Sequence, residues 1–401
     1  MNLALTANGK FYTFDLARAL QAQGVQAEVF TSYPRFKLRG EELPAERIHT
    51  FPWLHAPYMA LRRRDMLGLR AVRRWEWEAK TRFDRHVARN LPQLLDVLVG
   101  MSGSSLESGR AAQARGARYV CDRASAHIRT QDRILREEFE RWGLRFDGID
   151  PRVIEREEAE YAQADAVAVP SGFVVRSFAE QGVPAHKVHR LRLGVDLSRY
   201  RATAAPDPER FDVLCVAAFS LQKGVPYLIE SYKKLQHPAK SLSFAGAIDP
   251  ALVDHLKRRG TWADDAQLLG HLPLPRLVDR MSRSHLLVLP SVQEGLAMVQ
   301  AQAMACGCPV IGTTHSGAEE LFDDGVEGFI VPARDGDALT ERLQWMADHP
   351  EERAAMGRLA LERVRSLGGW REYGAQALAL YRRLAASRST AAPVGAPGLA
   401  A

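Results

Sequence analysis

Short apolar runs alternate with longer amphipathic stretches along most of the chain, and this alternation leaves few folds open. Leu3 to Thr6 is followed by a turn at Asn8-Gly9, a helical stretch from Phe11 to Gln23 closed by Gly24, and a second apolar run from Ala27 to Phe30. Strand, glycine turn, helix and strand in that order predict a βαβ start, the unit from which parallel sheets are built. Runs at Asp96 to Val99, Arg118 to Cys121 and Ala166 to Val169, separated by helical stretches, extend the series. After Gly194-Val195-Asp196, the polar, proline-containing passage Ala202 to Arg210 reads as a linker. The pattern then restarts. Strand-like Val213 to Ala217, Leu242 to Ala245, Ala266 to Leu269 and His285 to Leu289 alternate with helical Val225 to Leu235, Leu252 to Arg259 and Leu274 to Arg283. The predicted class is α/β, with Rossmann-like domains at 1–195 and 196–369 facing each other across a cleft. A helix at 370–386 and an Ala/Pro/Gly/Ser-rich tail at 387–401, read as disordered, end the sequence.

Composition agrees with that size of fold. The chain has 401 residues, 46% hydrophobic and 25% charged, enough for two ordinary α/β cores. No apolar run approaches the roughly 20 residues that span a bilayer, and the start lacks the charged-then-apolar layout of a secretion signal. The expected location is therefore cytoplasmic. Cys121, Cys215, Cys306 and Cys308 are scattered, mostly in apolar contexts, and Cys306 and Cys308 lack both a zinc-ribbon spacing and an accompanying His pair. They are expected to be small core residues, with no metal site and no cofactor. From Arg35 to Arg89 there are 14 Lys or Arg against 7 Asp or Glu, a surplus of 7 beside a net charge of +6 for the whole chain. The positive face belongs to the first domain.

Chemistry concentrates in the second domain. The segment Pro290-Ser291-Val292-Gln293-Glu294-Gly295 follows the apolar run ending at Leu289. It precedes a small-residue helix that ends at Gly307 and a further short strand, Pro309 to Ile311. A carboxylate and a loop glycine thus stand at the carboxyl end of a strand, where open α/β sheets bind their ligands. Glu294 could instead cap the helix that follows. Lys223-Gly224 opens a helix after the strand Val213 to Ala217. A lysine beside helix-start N–H groups suits a diphosphate, although alone such a pair is commonly a solvated cap.

Taken together, these segments resemble the retaining glycosyltransferases of family 4, also called glycosyl transferases group 1. The family's Pro-Ser-x-x-Glu-Gly is matched through Glu294, and the family's second Glu, seven residues intervening, is replaced by Gln302 ahead of Ala303-Met304-Ala305. The stretch Ala218 to Glu230 resembles the phosphate loop, with Ala218 where many members carry arginine. Gly270-His271-Leu272-Pro273 resembles the turn whose backbone meets the nucleotide base. Ser316-Gly317-Ala318-Glu319-Glu320 and Asp324-Gly325-Val326-Glu327-Gly328 resemble the Gly-x-x-Glu helix start and the turn after it. The resemblance implies the GT-B fold, with the last helix, from about Trp370, crossing back to the first domain. It implies donor contacts from Lys223, Gly224, Leu272, Gly295, Leu296, Ala297, Gln302, Gly317 and Glu320, with Glu294 on the sugar hydroxyls. Gln302 retains a carbonyl acceptor for a ribose hydroxyl and loses only the charge.

Over the first domain the resemblance rests on Gly9, Val169-Pro170-Ser171 and Gly194-Val195-Asp196. Gly9 either admits backbone N–H groups to the donor phosphates or merely makes a turn. Cys121-Asp122-Arg123-Ala124-Ser125-Ala126-His127 occupies the place where relatives carry acceptor-side His or Asp. Asp122 and His127 are therefore catalytic candidates, with Arg123 beside them; capping and loop hydrogen bonding are the alternatives. Residues 61–89 mix Arg62, Arg63, Arg64, Arg70, Arg73 and Arg74 with Leu67, Leu69, Val72, Trp75 and Trp77. That mixture suits an anionic membrane surface at the inner face of the plasma membrane, or a solvated helix with its tryptophans turned inward. No nucleic-acid-binding motif is present.

The expected activity is metal-independent, retaining hexosyl transfer from a UDP- or GDP-sugar to a glycan or lipid-linked acceptor in cell-surface polysaccharide biosynthesis. A non-catalytic sugar-nucleotide scaffold or sensor, and a GT-B epimerase, are the alternatives.

Overall fold

The structure, a computed structural model, describes residues 1–61, 67–196 and 198–387. Arg62, Arg63 and Arg64 of the basic stretch, and all of the proposed tail but Ser387, lie outside the described residues. Among the described residues the strands form two parallel sheets. The first contains β1 (Leu3–Ala7), β2 (Ala27–Thr31), β3 (Ile48–Thr50), β4 (Val97–Met101), β5 (Arg118–Asp122), β6 (Ala166–Val169) and β7 (Val188–Arg190). Their order is β3-β2-β1-β4-β5-β6-β7. The second contains β8 (Phe211–Val216), β9 (Lys240–Ala245), β10 (Gln267–Gly270), β11 (Leu286–Val288), β12 (Val310–Thr313) and β13 (Gly328–Val331), in the order β10-β9-β8-β11-β12-β13. The strand order thus reverses between β1 and β4 in the first sheet and between β8 and β11 in the second, as in doubly wound folds.

Most strands coincide with the apolar runs because central parallel strands are buried on both faces. All five residues of β1 and of β4 are buried. Three strands do not follow from apolar runs: β3, β7 and β13, each three or four residues long. β3 and β13 pair at sheet edges, where one flank of hydrogen bonding is missing and apolar content is dispensable. β13 begins at Gly328, within what the sequence presents as a glycine turn. A Cβ there would lie 2.2 Å from the Val310 carbonyl oxygen, so glycine is what lets β13 approach β12.

Contacts group the chain into two units. Unit one takes Met1–Asp122, Asp150–Ala168 and the chain from Arg371 onward; unit two takes Arg123–Ile149 and Val169–Trp370. In unit one the helix Trp370–Ala386 returns to the first sheet's layer. Tyr373 meets Tyr12 edge to face at 6.2 Å, and Arg118 Nε donates to the Leu384 carbonyl at 3.2 Å. Gly374 lies so close to Ala19 that a Cβ would fall 2.7 Å from the alanine's own, which explains glycine in mid-helix. The helix Leu69–Asn90 turns its tryptophans to internal partners. Trp75 Nε1 donates to Leu54 O at 3.0 Å, and Arg152 and Arg156 stack over Trp77. Among the described residues no helix is long and apolar enough to cross a membrane.

In unit two the core runs from Leu214 on β8 through Leu287 on β11 to Met304, Cys306 and Cys308, and it includes Val195 and Val364. All four cysteines are buried free thiols. Beside this core lies a buried ionic hub. Glu138, with no side-chain exposure, accepts from Arg334 Nε at 2.8 Å and from the Tyr227 hydroxyl at 3.2 Å, while Arg334 also binds Glu137 and the Ile134 carbonyl.

Removing one partner of such a pair leaves a buried charge uncompensated, which typically costs more than the pair contributes. Arg334→Met should therefore lower stability by about 3 kcal/mol, read as a fall in urea midpoint at unchanged m-value. Glu137→Gln, on the half-exposed side of the same hub, should cost well under half of that.

Candidate active site

β8 and β11 lie side by side, with Val213 opposite Leu286 and Leu214 opposite Leu287. Their successors diverge, β9 to one side and β12 to the other, so the loops leaving their carboxyl ends open a notch between them. The β8 loop carries Lys223 and the β11 loop carries Glu294. Across the notch the Lys223 ammonium and the Glu294 carboxylate form a direct hydrogen-bonded ion pair. Both side chains remain about one-fifth exposed, at 22% and 19%, so a ligand can reach them.

The backbone around this pair is held by close approaches that only glycine allows. Gly224 has φ +68°, and a Cβ there would lie 1.8 Å from Pro290 O, so the two loops meet at this residue. Gly295 passes equally near Ala124: a Cβ would lie 1.8 Å from the Ala124 carbonyl. Gly317, at φ +73°, packs against Gly295 O and Leu296, within 3.0 Å of a built Cβ. Ser171 Oγ donates to Gly295 O at 2.7 Å, and Ala297 N donates to Ser316 O at 3.1 Å. These clamps fix the loop while the N–H groups of Gly295, Leu296, Met298 and Val299 make no hydrogen bond among the described residues. Met298 and Val299 open the helix Met298–Ala305, whose first-turn N–H groups have no internal acceptor. The result is a cluster of donors at a helix start, suited to anionic or hydroxyl oxygens.

The β8 loop contributes fewer such donors. Lys223 N and Gly224 N bond to Ser220 O and Leu221 O, and Pro226 has no N–H, so only the Val225 N–H is left at that helix start. Lys223's charge is its main asset there.

Several polar residues that support the site were not apparent in the sequence. Gln293 is fully buried; its Nε2 donates to Ser125 Oγ at 2.7 Å, and its Oε1 and carbonyl accept from Gln222 Nε2 at 3.0 and 3.1 Å. It therefore fixes the residue next to Glu294. Gln300 is also buried and ties Ala297 O and Ser316 together. By contrast Gln302, two residues further on and half-buried, makes no side-chain hydrogen bond among the described residues. The only sequence signal for this division is the i, i+2 spacing of the two glutamines, which places them on different helix faces. Leu272 packs half-buried on the core just past β10, where Gly270 O accepts from Gly246 N at 2.8 Å.

The remaining candidates have protein partners of their own. Glu320 is engaged in holding the fold, since its Oε1 accepts from Gly172 N at 2.8 Å and from Arg190 Nη1 at 3.1 Å, at the start of the helix Gly172–Glu180. His127 caps the helix Ile128–Arg141 through Nδ1, with its ring edge-on to Phe178 at 5.0 Å, and Arg123 folds back onto Ala126 O and Gln131. In unit one, Gly9 follows β1 and its carbonyl accepts from Thr31 Oγ1 at 2.9 Å. Asp122 ends β5, buried, and accepts from the Tyr12 hydroxyl at 2.7 Å. Burial pushes its carboxyl up to about 7, with the Tyr12 hydrogen bond opposing.

Comparison with known proteins bears on this geometry. Residues 198–363 match the family model described as glycosyl transferases group 1, and residues 10–199 that of glycosyltransferase family 4. The putative colanic acid biosynthesis glycosyltransferase WcaL of Salmonella typhimurium is 28% identical over 219 residues, which are 49% of this chain and 53% of that protein. The chain thus spans about half the length of that curated relative. Among solved structures, sucrose-phosphate synthase from Thermosynechococcus elongatus superimposes with a TM-score of 0.72 at 22% identity, over 96% of this chain and 100% of that one. Anabaena HepE, in complex with UDP-glucose, gives a TM-score of 0.66 at 16% identity, over 97% and 100%. These likenesses establish the GT-B fold.

The raised carboxyl of Asp122 has a definite sign in stability. The unfolded chain ionises it near 3.8 and the folded chain only near 7, so its contribution is fully present below about pH 4 and is lost as pH rises to about 7. Asp122→Asn should flatten the decline of the urea midpoint across that window. A residual slope should persist, because buried Glu160 is also pushed up to about 7, chiefly by desolvation. Equal slopes in D122N and the parent chain would contradict the assignment.

Proposed function

Because the chain belongs to glycosyltransferase family 4, the glycosyl transferases group 1, we propose that it is a retaining, metal-independent hexosyltransferase. In this reading it moves a sugar from a nucleoside diphosphate donor to a glycan or lipid-linked acceptor in cell-surface polysaccharide biosynthesis. The observation that carries the reading is the Lys223–Glu294 pair across the notch, beside a clamped loop of unpartnered N–H groups. A diphosphate entering the notch takes the Lys223 ammonium, and the pair separates. Glu294 is then free to accept hydrogen bonds from the sugar hydroxyls and to stabilise positive charge developing at the anomeric carbon. The N–H groups of Gly295, Leu296, Met298, Val299 and Val225 receive oxygens of the donor, and the amide of Gln302 accepts from a ribose hydroxyl. Lys223 stabilises the departing nucleoside diphosphate.

A uridine donor is favoured over a guanosine one by the likeness to HepE, whose structure holds UDP-glucose. The polysaccharide setting is supported by the likeness to WcaL, named for colanic acid biosynthesis. Peripheral attachment to the inner face of the plasma membrane belongs to the same reading. Since Trp75 is bonded internally and Trp77 is stacked under arginines, attachment falls to exposed Leu67 and Leu69 and to Arg70 and Arg74. Co-sedimentation with anionic but not neutral vesicles checks it; equal partition to both would remove it.

A panel of UDP-, GDP- and ADP-sugars, read by thermal shift and by nucleotide release, tests the activity. At least one should raise the melting temperature and turn over, with retention visible in the anomeric proton coupling of the product. Glu294→Ala should cut kcat by about 100-fold or more with an unchanged circular dichroism spectrum, and Lys223→Ala should weaken donor binding by about tenfold or more. Gln302→Glu should tighten donor binding several-fold. Ala218 and Gln302 are what a non-catalytic sensor would show, and binding without turnover, indifferent to Glu294→Ala, is the result that would establish one.

A further inference from the structure

The second sheet has another opening, at the end opposite to the notch. A cavity of about 520 Å³ lies at the amino ends of β8, β11 and β12. It is lined by His285, which precedes β11, by Pro309, which precedes β12, by Arg353 and Arg358, and by alanines and prolines of 202–208. Cavities of this volume hold small organic molecules.

Its charge is one-sided. Among the described residues no aspartate or glutamate lines it, whereas Arg353 and Arg358 do. Arg353 is the unusual one. It is nine-tenths buried, yet it forms no ion pair among the described residues. Its one side-chain hydrogen bond among the described residues runs from Nη1 to the Met346 carbonyl, and its guanidinium lies over the Phe211 ring at 5.2 Å. One guanidinium carries five donors, so most of its N–H groups have no acceptor among the described residues, and the residue lines the cavity. A buried cation without a counter-charge is costly, and burial alone holds this guanidinium below its ordinary pKa. Arg358, exposed on the same wall, also lacks an ion-pair partner among the described residues. His285, also on the lining, is kept neutral: burial first, then Arg353, pushes it down to about 4, and its Nδ1 accepts from Asp212 N. The remaining walls, with Ala202, Ala204, Pro206 and Leu361, are apolar.

We propose that this cavity is a second ligand site, which binds an organic phosphate monoester by its phosphate on Arg353 and Arg358 and by an apolar body on the Ala/Pro wall. Two guanidiniums match a dianion better than a carboxylate, and planar forks suit phosphate oxygens. The chemistry is shared by an alkyl or isoprenoid phosphate and by a sugar phosphate; the apolar wall favours the former.

Calorimetric titration of the whole chain, with UDP present at saturation, separates this site from the notch. Hexyl phosphate should bind one to one, glucose 1-phosphate more weakly, and hexanol not at all. Arg353→Gln should weaken hexyl phosphate by about tenfold or more and Arg358→Gln by about threefold or more, while Lys223→Ala leaves it unchanged. Arg358 is exposed, so its variant remains informative if Arg353→Gln does not fold. Absence of binding by either phosphate, equal binding by hexanol, or indifference to R358Q would overturn the proposal. Preference for glucose 1-phosphate would overturn its apolar half. Failure of UDP to bind would count against the donor reading and leave the titration of the far cavity interpretable.

Discussion

The pairing of β8 with β11 is the constraint on which unit two depends. These strands are distant in sequence, and their adjacency, with β9 and β12 diverging from them, places two loop ends side by side with no strand between. Everything placed in the notch follows from that. The loops can approach only because Gly224 presents no Cβ to Pro290 O, and the second loop can lie against Ala124 only because Gly295 presents none. A methyl group at either position would separate Lys223 from Glu294 without touching either side chain. The ion pair is thus the visible end of a packing constraint set by backbone contacts.

The same economy governs polar groups. Gln293, Gln300 and Ser171 are buried, and each satisfies a backbone or side-chain partner of the β11 loop and its helix. Their bonds immobilise the loop while leaving a run of N–H groups unpartnered. An enzyme that stabilises developing charge needs donors held in place before the charge appears, because reorienting them during reaction would cost much of the benefit. Preorganisation here is supplied by glutamines and serines rather than by the loop's own regular structure.

Legibility in the sequence divides along the range of the interaction. The central strands were readable because burial on both faces demands consecutive apolar residues, a local property. Glu294, Gly295, Lys223 and Gly224 were readable because a motif specifies them within a few neighbours. The contacts of Gln293 and Ser171 were not, since their partners lie 168 and 124 residues away and the motifs around them do not specify what they bond. Glu320 shows the converse. A local Gly-x-x-Glu pattern presents it as a ligand, and the partners it has in the fold, Arg190, 130 residues distant, and Gly172 N, both on Oε1, have no local signal. At His127 the capping alternative is present at its own helix start, where Nδ1 accepts from Arg129 N. Short edge strands such as β13 escaped because glycine at Gly328, which reads as a turn, there serves close strand approach.

The two departures from the family pattern act on different terms of the same site. In the proposed reading, Ala218 removes a positive charge from the phosphate side, whereas Gln302 removes a negative charge from the ribose side. With Lys223 and Glu294 paired, the notch therefore stays close to neutral, as it would have with both charges present. An arginine restored alone would add an uncompensated cation, and a glutamate restored alone an uncompensated anion. In a half-buried notch without ligand, where charges interact more strongly than in water, the paired loss is the milder change for stability, whereas a glutamate at 302 would gain a charge-assisted hydrogen bond once a ribose hydroxyl is bound. Donor affinity then rests more on oriented backbone N–H groups, whose strength depends on how rigidly Gln293, Ser171 and Gly317 hold the loop.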